Sequence, residues 1–314
     1  MPTPKSDSLL SPCVLVIKTP VASRKRVAER LGQTGRRLAG QVEDAAREQE
    51  LTLDVLQEAL ARLGVTPLTV SVDAIDAKSR RAIAAARLVI TVGGDGTLLT
   101  TSHWVTRAAL LGVNSAPRSS VGYLTFARRA TLPRILARIE KGTLLPQAVA
   151  RLEVVLEEGH GLEGRILPPA LNDVLVAHEQ PAATSRYRLQ LGRKAEDHRS
   201  SGLWVSTTAG STAGIRSAGG QVMALGERRL QFRARELFRV SGGRVATLAE
   251  GFVEAGEQLV VESAMAAGWL YVDGARLATR FPFGARAIFR LAEQPLLLFA
   301  EPARWDLKDP GDVL

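Results

Sequence analysis

Cysteine is almost absent from this chain of 314 residues, since Cys13 is the only one. A single cysteine excludes an intramolecular disulfide, a zinc ribbon and a Cys-x-x-Cys redox motif. Chains without disulfides are typical of reducing compartments, so we expect a cytoplasmic protein. Histidine is also scarce, and its four positions show no metal-ligand spacing: His103, His160, His178 and His198.

Aromatic residues and long apolar runs are scarce too. Only 5 % of the residues are aromatic, which leaves few side chains for stacking the bases of single-stranded nucleic acid. No run approaches the roughly 18–20 apolar residues of a membrane-spanning helix. The apolar stretch from Cys13 to Ile17 is too short for a signal-peptide core. We therefore expect a soluble protein without a membrane partner.

Positive charge is in excess, with a formal net charge of +9. Of the 41 basic residues 34 are arginines, and they are scattered without a long basic run. This pattern favours arginines that lie on solvated faces. The alternative is that they create a diffuse positive field, which would attract nucleotides. A basic nucleic-acid protein is a further alternative, and it predicts salt-sensitive binding to DNA or RNA without turnover.

The pattern of hydrophobicity divides the chain into parts. Over 1–143, short apolar runs alternate with segments of helical period, including predicted helices over 41–63, 97–109 and 132–140. We expect a parallel, doubly wound α/β sheet there. Over 144–290, short β-rich runs separated by Gly, Asp and Ser predict an antiparallel all-β domain. The apolar tail, 291–314, is expected to return to the first domain.

The sequence VGGDGTLL, residues 92–99, stands where a predicted buried strand ends and a helix begins. Open α/β sheets bind ligands at that edge. Gly93, Gly94 and Gly96 let backbone N–H groups approach a phosphate, and Thr97 is the expected N-cap of the helix. Neither a Walker loop nor a dinucleotide fingerprint is present.

Asp95 is the informative residue of this sequence, because a carboxylate weakens a loop whose only task is to hold phosphate. It fits a group that accepts a hydrogen bond or a proton from a hydroxyl, or that helps to hold a metal ion. A hydroxyl acceptor beside a triphosphate is typical of a kinase. The alternative is an ordinary tight turn, since Gly-Asp-Gly is a common turn sequence.

Two further segments could contact a ligand. The run STTAGSTAGIRSAGG, residues 206–220, is rich in glycine and hydroxyl groups, which suits a surface against a planar or anionic ligand. A flexible linker or a tight β-arch is the alternative. Asn172 and Asp173 open a predicted strand, where they could bind sugar hydroxyls or an adenine edge, or form only an Asx-turn.

Together these three segments, in this order, resemble the NAD kinase family. GGDGT alone is shared with diacylglycerol and sphingosine kinases, and the glycine-serine run makes the resemblance specific. Further matching segments extend it over nearly the whole chain: LLGVN at 110–114, GYLTF at 122–126 and YVDG at 271–274.

The resemblance implies a two-domain kinase that transfers the γ-phosphoryl group of ATP, carried with Mg²⁺, to the adenosine-ribose 2′-hydroxyl of NAD. It implies that Asp95 activates or orients that hydroxyl. It implies NAD contacts for Tyr123, Asn172, Asp173, Thr212, Ala213 and Ser217. We also expect a homo-oligomer, a dimer or tetramer, without nucleic acid as a partner.

The chain departs from the usual family pattern at two positions. Gly214 stands where an aromatic residue is usual, and Ser201 stands where an acid is usual. We expect Tyr123 to compensate for the missing aromatic. The loop after Asn114 is more similar to the mitochondrial-type branch. The alternative functions are a lipid or other hydroxyl kinase of the same superfamily and a non-catalytic nucleotide-binding regulator, and retention of Asp95 argues against the regulator.

Overall fold

The computed structural model describes residues 8–18, 32–118, 121–159, 164–238, 246–301 and 303. His160 and Trp305 lie outside these ranges. The chain divides into two compact units. Unit 1 comprises Met1–Gln147 and Leu296–Glu301, and unit 2 comprises Ala148–Pro295 and Pro302–Leu314.

Unit 1 contains a seven-stranded sheet. Its strands are β1 (Cys13–Ile17), β2 (Leu68–Ser71), β3 (Leu88–Gly93), β4 (Ala109–Asn114), β5 (Ala127–Arg128), β6 (Gln147–Val149) and β19 (Leu296–Leu298). The order is β2-β1-β3-β4-β19-β6, with β5 also paired to β4. The pairs β1–β2, β1–β3, β3–β4, β4–β5 and β4–β19 are parallel.

Within the described residues, four α-helices accompany this sheet: α1 (Gly32–Arg62), α2 (Ala77–Ala85), α3 (Asp95–Ser102) and α4 (Leu132–Glu140). All six residues of β3 are buried, as expected for a central parallel strand covered on both faces. The apolar residues of α4 recur at helical spacing and are buried in the core of unit 1: Leu132, Ile135, Leu136 and Ile139.

Helix α3 differs from the sequence prediction at both ends. It begins at Asp95, and it ends at Ser102 instead of near residue 109. The last turn has the composition Thr-Thr-Ser, and the hydroxyls of Thr101 and Ser102 donate back to main-chain carbonyls at 2.8 Å. Such residues have low helix propensity and compete for backbone hydrogen bonds, so the helix stops at Ser102, well before β4 begins at Ala109.

Unit 2 is built of antiparallel strands. They are β7 (Leu152–Glu157), β8 (Arg165–Ile166), β9 (Asp173–His178), β10 (Ser185–Leu191), β11 (Lys194–Ser200), β12 (Gly202–Ser206), β13 (Arg229–Arg235), β14 (Glu250–Glu254), β15 (Leu259–Ser263), β16 (Gly268–Val272), β17 (Leu277–Arg280) and β18 (Arg286–Leu291). One sheet has the order β11-β10-β15-β18-β7-β8, and the other has the order β14-β13-β12-β9-β16-β17. A short helix, α5 (Gly214–Ser217), follows β12.

The inward faces of the two sheets share one hydrophobic core, which makes unit 2 a β-sandwich. In β7 buried and half-buried residues alternate strictly, the period-two pattern of a strand with one face inward. The predicted fold class is therefore confirmed: a parallel α/β domain precedes an antiparallel all-β domain, and the tail supplies β19 to the first sheet. Among the described helices, none is long and apolar enough to cross a membrane.

Candidate functional site

The glycine turn joins β3 to α3 at the carboxyl edge of the parallel sheet. The N-cap of α3 is Gly94, so the prediction that Thr97 is the cap is wrong. Thr97 is 6 % exposed and lies in the first helical turn against Gly93, where an added Cβ would overlap its Oγ1. Because a glycine cap makes no side-chain hydrogen bond, the first amide groups of α3 remain available to an anion.

Asp95 is the first residue of α3, and both of its carboxylate oxygens accept hydrogen bonds from another loop. The N–H of Tyr123 donates to Oδ2 and the N–H of Leu124 donates to Oδ1, each at 2.8 Å. These two bonds fix the carboxylate at the edge of the sheet. Each oxygen keeps a lone pair, so the group can still accept a hydrogen bond from a ligand hydroxyl.

The segments LLGVN and GYLTF meet beside this carboxylate. Gly122 has φ +65°, and an added Cβ there would overlap the side-chain amide of Asn114 and the hydroxyl of Thr125. Thr125 Oγ1 in turn donates to the carbonyl of Gly122 at 2.9 Å. Three separate sequence segments therefore form one structure around Asp95.

Lys18 follows β1 and lies against the glycine turn. The N–H of Lys18 donates to the carbonyl of Val92 at 3.1 Å, and Gln49 Nε2 donates to the carbonyl of Lys18 at 2.6 Å. Its Cβ lies 3.3 Å from the position that a Cβ on Gly93 would take, and the residue is exposed. Sequence analysis missed this cation. The signal that could have found it is the parallel pairing of β1 with β3, which brings both strand ends to one edge.

In unit 2, the start of β9 is held by a carboxylate that sequence analysis assigned no role. Asp273 Oδ1 accepts from the N–H groups of Asn172 at 2.7 Å and Asp173 at 3.0 Å, and Oδ2 accepts from Leu171 at 2.8 Å. The N–H of Asp273 donates to the carbonyl of Asp173 at 2.9 Å. Asp273 adopts φ +49°, a conformation that aspartate tolerates better than most residues.

With their backbone held in this way, Asn172 and Asp173 present two unusual side chains. Asn172 Oδ1 is buried and has no hydrogen-bond partner among the described residues. Asp173 is 6 % exposed, and burial, followed by the charge of Asp273, raises its pKa to about 7. An unpartnered acceptor beside a carboxyl group that is partly protonated near neutrality fits a ligand with hydroxyl or amine groups.

The first half of the glycine-serine run is a folded structure, so the linker alternative is wrong. Thr207 Oγ1 donates to the carbonyl of Leu171, and Ser206 Oγ donates to the carbonyl of Asn172 at 3.2 Å. An added Cβ on Gly210 would overlap the backbone of Asn172. The hydroxyls and the glycine therefore pack the run directly against the start of β9.

The second half of the run leaves its side chains accessible. A 3₁₀ turn, Ala209–Thr212, leads through Ala213 into α5. Thr212 and Ala213 are half-buried and Ser217 is exposed within the described structure. These three positions can therefore meet a ligand, whereas the preceding hydroxyls are used internally.

The predicted site residues form one group in each unit. Unit 1 contains Gly93, Gly94, Asp95, Gly96, Thr97 and Tyr123, to which the structure adds Lys18. Unit 2 contains Asn172, Asp173, Thr212, Ala213 and Ser217, to which the structure adds Asp273. Within the described part of the chain, no group of three or more His, Cys, Asp or Glu is arranged to hold a metal ion.

Residues 17–144, which include the glycine turn, match the family model of the ATP-NAD kinase N-terminal domain. A probable NADH kinase of Oryza sativa subsp. japonica is 38 % identical over 213 residues, which cover 60 % of this chain and 63 % of that protein. By these two matches the chain is similar to NAD kinases over part of its length.

Two further kinases are similar to part of this chain. An NADH kinase of Arabidopsis thaliana is 35 % identical over 209 residues, 60 % of this chain and 65 % of that one. An NAD kinase of Methanospirillum hungatei is 32 % identical over 138 residues, 43 % of this chain and 48 % of that one. The matched region thus spans less than two thirds of the length of each of these relatives.

One solved structure matches nearly the whole chain. It is an NAD kinase from Archaeoglobus fulgidus in complex with ATP, with a TM-score of 0.64 over 93 % of this chain and 95 % of that one. At 20 % sequence identity the likeness shows the fold. That fold agrees with the order of the two units along this chain, a parallel α/β unit followed by a β-sandwich.

Proposed function

We propose that this protein is a kinase that transfers the γ-phosphoryl group of ATP to the adenosine-ribose 2′-hydroxyl of a nicotinamide dinucleotide, making NADP from NAD. The observation that carries this proposal is the placement of Asp95. It begins α3 between two glycines of the turn, and two backbone N–H groups hold its carboxylate. The printed names of the relatives, NAD kinase and NADH kinase, support the same activity.

The phosphates of ATP would be bound by the first amide groups of α3 and by Lys18. The amides and the helix dipole favour an anion at this end of the helix. Because the described residues offer no cluster of metal ligands, a magnesium ion would be held chiefly by the nucleotide phosphates. When bound, Mg²⁺ neutralises charge on the transferred phosphoryl group.

Asp95 would accept the hydrogen bond of the 2′-hydroxyl and orient its oxygen for in-line attack. The bond from the 2′-oxygen to the γ-phosphorus forms as the bond from that phosphorus to the oxygen of ADP breaks. The hydroxyl proton leaves to the carboxylate or to water. A carboxylate fixed by two N–H bonds needs no reorganisation to do this.

The adenosine half of the acceptor would be bound in unit 2. Asn172 Oδ1 would find there the donor that the described protein does not supply, and Asp173 would bind a hydroxyl or a ring nitrogen. Thr212, Ala213 and Ser217 would contact the same dinucleotide. The homo-oligomer and the cytoplasmic location stay predictions from the sequence.

An end-point assay tests this function. The purified protein is incubated with ATP, Mg²⁺ and either NAD or NADH, and the product is detected with a dehydrogenase specific for NADP or NADPH. We expect product with at least one of the two dinucleotides. No product from either, with phosphorylation of diacylglycerol in mixed micelles instead, would replace the proposal by the lipid-kinase alternative, which no observation here favours.

A further inference from the structure

Gly214 occupies a place in unit 2 where no side chain fits. An added Cβ would lie 2.7 Å from Cζ2 and 3.0 Å from Cη2 of Trp204, closer than carbon atoms pack. The indole ring therefore fills the space beside the backbone of residue 214. A larger side chain at position 214, such as tyrosine, cannot be added unless Trp204 moves.

Trp204 is placed there by the strand that carries it. In β12, Leu203 and Val205 point into the core of the sandwich, so Trp204 projects from the opposite face of the sheet. Strands β9 and β13 pair with β12 on its two sides. Arg235 lies over the ring with its Cζ 5.9 Å from the ring centroid.

The cross-strand partner of Trp204 fills the space beside a second glycine in the same way. Arg233 in β13 stands opposite Trp204, and an added Cβ on Gly219 would lie 2.9 Å from its guanidinium. Gly219 also has φ +91°, which favours glycine. The segment from 214 to 219 thus packs on two neighbouring side chains through its two glycines.

We propose that Trp204 is a positioning residue for the acceptor: its ring fixes the path of residues 212–217 and takes the place of the aromatic side chain that residue 214 lacks. This inference rests on the proposed function for its effect on catalysis. Because Trp204 acts through residues 212–217, its loss should weaken binding of the dinucleotide and leave binding of ATP unchanged.

Steady-state kinetics of Trp204→Ala test the proposal. We expect KM for the dinucleotide to rise about tenfold, with kcat and KM for ATP within about twofold of wild type. Trp204→Phe should restore most of the loss. The matched control is Trp269→Ala, which removes a half-buried tryptophan from β16 in the same sheet and should leave all three constants unchanged. Equal effects of the two alanine variants would overturn the proposal.

A double-mutant cycle checks the contact itself. Gly214→Ala should raise KM for the dinucleotide in the wild-type background and have a smaller effect beside Trp204→Ala, because the conflict with the ring is gone. Additive effects would overturn the proposal, and this arm remains decisive if Trp204→Ala folds poorly, since Trp204→Phe can replace it.

Amide hydrogen exchange separates this inference from the proposed function, because it needs no substrate. Exchange in residues 212–217 should accelerate in Trp204→Ala and stay unchanged in Trp269→Ala. If wild-type protein forms no phosphorylated dinucleotide, the proposed function fails while this measurement still decides the positioning. Unchanged exchange in Trp204→Ala would overturn the positioning alone.

Discussion

At the scale of a single residue, Asp95 anchors the Tyr123–Leu124 backbone, and we propose that it also accepts a hydrogen bond from the acceptor hydroxyl. In Asp95→Asn, one carboxylate oxygen becomes an NH₂ group that cannot accept from a backbone N–H. We expect kcat to fall ~10²-fold or more, the scale of losing a general base. Faster hydrogen exchange at 123–124 should accompany it.

The control for this variant is Asp76→Asn, which alters the N-cap of α2 and should leave kcat unchanged. Wild-type turnover in Asp95→Asn would remove Asp95 from the mechanism. Loss of activity together with loss of the cooperative thermal transition would show that Asp95 acts mainly by anchoring the Tyr123–Leu124 backbone.

Lys18 offers a second test at this scale. Lys18→Met keeps the aliphatic stem and removes the charge, and the backbone bonds to Val92 and Gln49 remain. We expect KM for ATP to rise about tenfold or more, because a hydrogen bond to a charged group contributes roughly 1.5–3 kcal/mol. Lys78→Met, an exposed lysine on α2, is the matched control. An unchanged KM for ATP in Lys18→Met would contradict the assignment.

The variant Asn172→Ala tests binding of the dinucleotide without an expected change in stability. Because Oδ1 of Asn172 has no partner within the described residues, Asn172→Ala leaves no protein donor at that oxygen unsatisfied. We expect KM for the dinucleotide to rise by the equivalent of about 0.5–1.5 kcal/mol, with KM for ATP and the thermal midpoint unchanged. Equal weakening of both substrates would indicate a folding defect.

At the scale of elements, the junction of β9 and β16 brings two carboxylates together. The pKa of Asp173 is raised to about 7 from 3.8. Between pH 4 and pH 7 the unfolded chain releases this proton while the folded chain keeps it, so this contribution to stability is present at low pH and is lost as pH rises through 7.

Asp173→Asn removes that titration. We expect the variant to have a higher thermal midpoint than wild type at pH 8 and a similar one at pH 4.5, measured by circular dichroism in the absence of nucleotide. The control is Asp197→Asn, which removes an exposed carboxylate of β11 and is measured in the same way. A difference that is constant with pH would show that Asp173 does not carry the effect.

The sequence predicts the elements that a local pattern of residues marks, but it does not predict the contacts between distant segments. The period of apolar residues predicts α4 at its observed bounds, Leu132–Glu140, because one face of the helix is core. The clamp by Asp273 joins positions about a hundred residues apart through a sheet pairing, which no local pattern shows. The same holds for Trp204, whose relation to Gly214 depends on how α5 packs on the sheet.

At the scale of the whole molecule, the sequence predicts the order of a parallel α/β unit and a β-sandwich, because the hydrophobic period changes between them. It predicts the residue types of the candidate site through the family resemblance, and the comparisons confirm that resemblance over part of the chain. The tail is predicted to return, yet its apolar run does not show that β19 inserts between β4 and β6.

That inserted strand has a consequence for how the chain is made. Strand β19 is encoded after the whole of Ala148–Pro295, so a ribosome must synthesise the β-sandwich before the first sheet can be completed. At about 5–20 residues per second this takes roughly 7–30 s. During that time the nascent chain carries a sheet edge at β4 with unpaired backbone groups. The β4 edge at Ala109 and Leu110 therefore stays open until translation has passed the second unit.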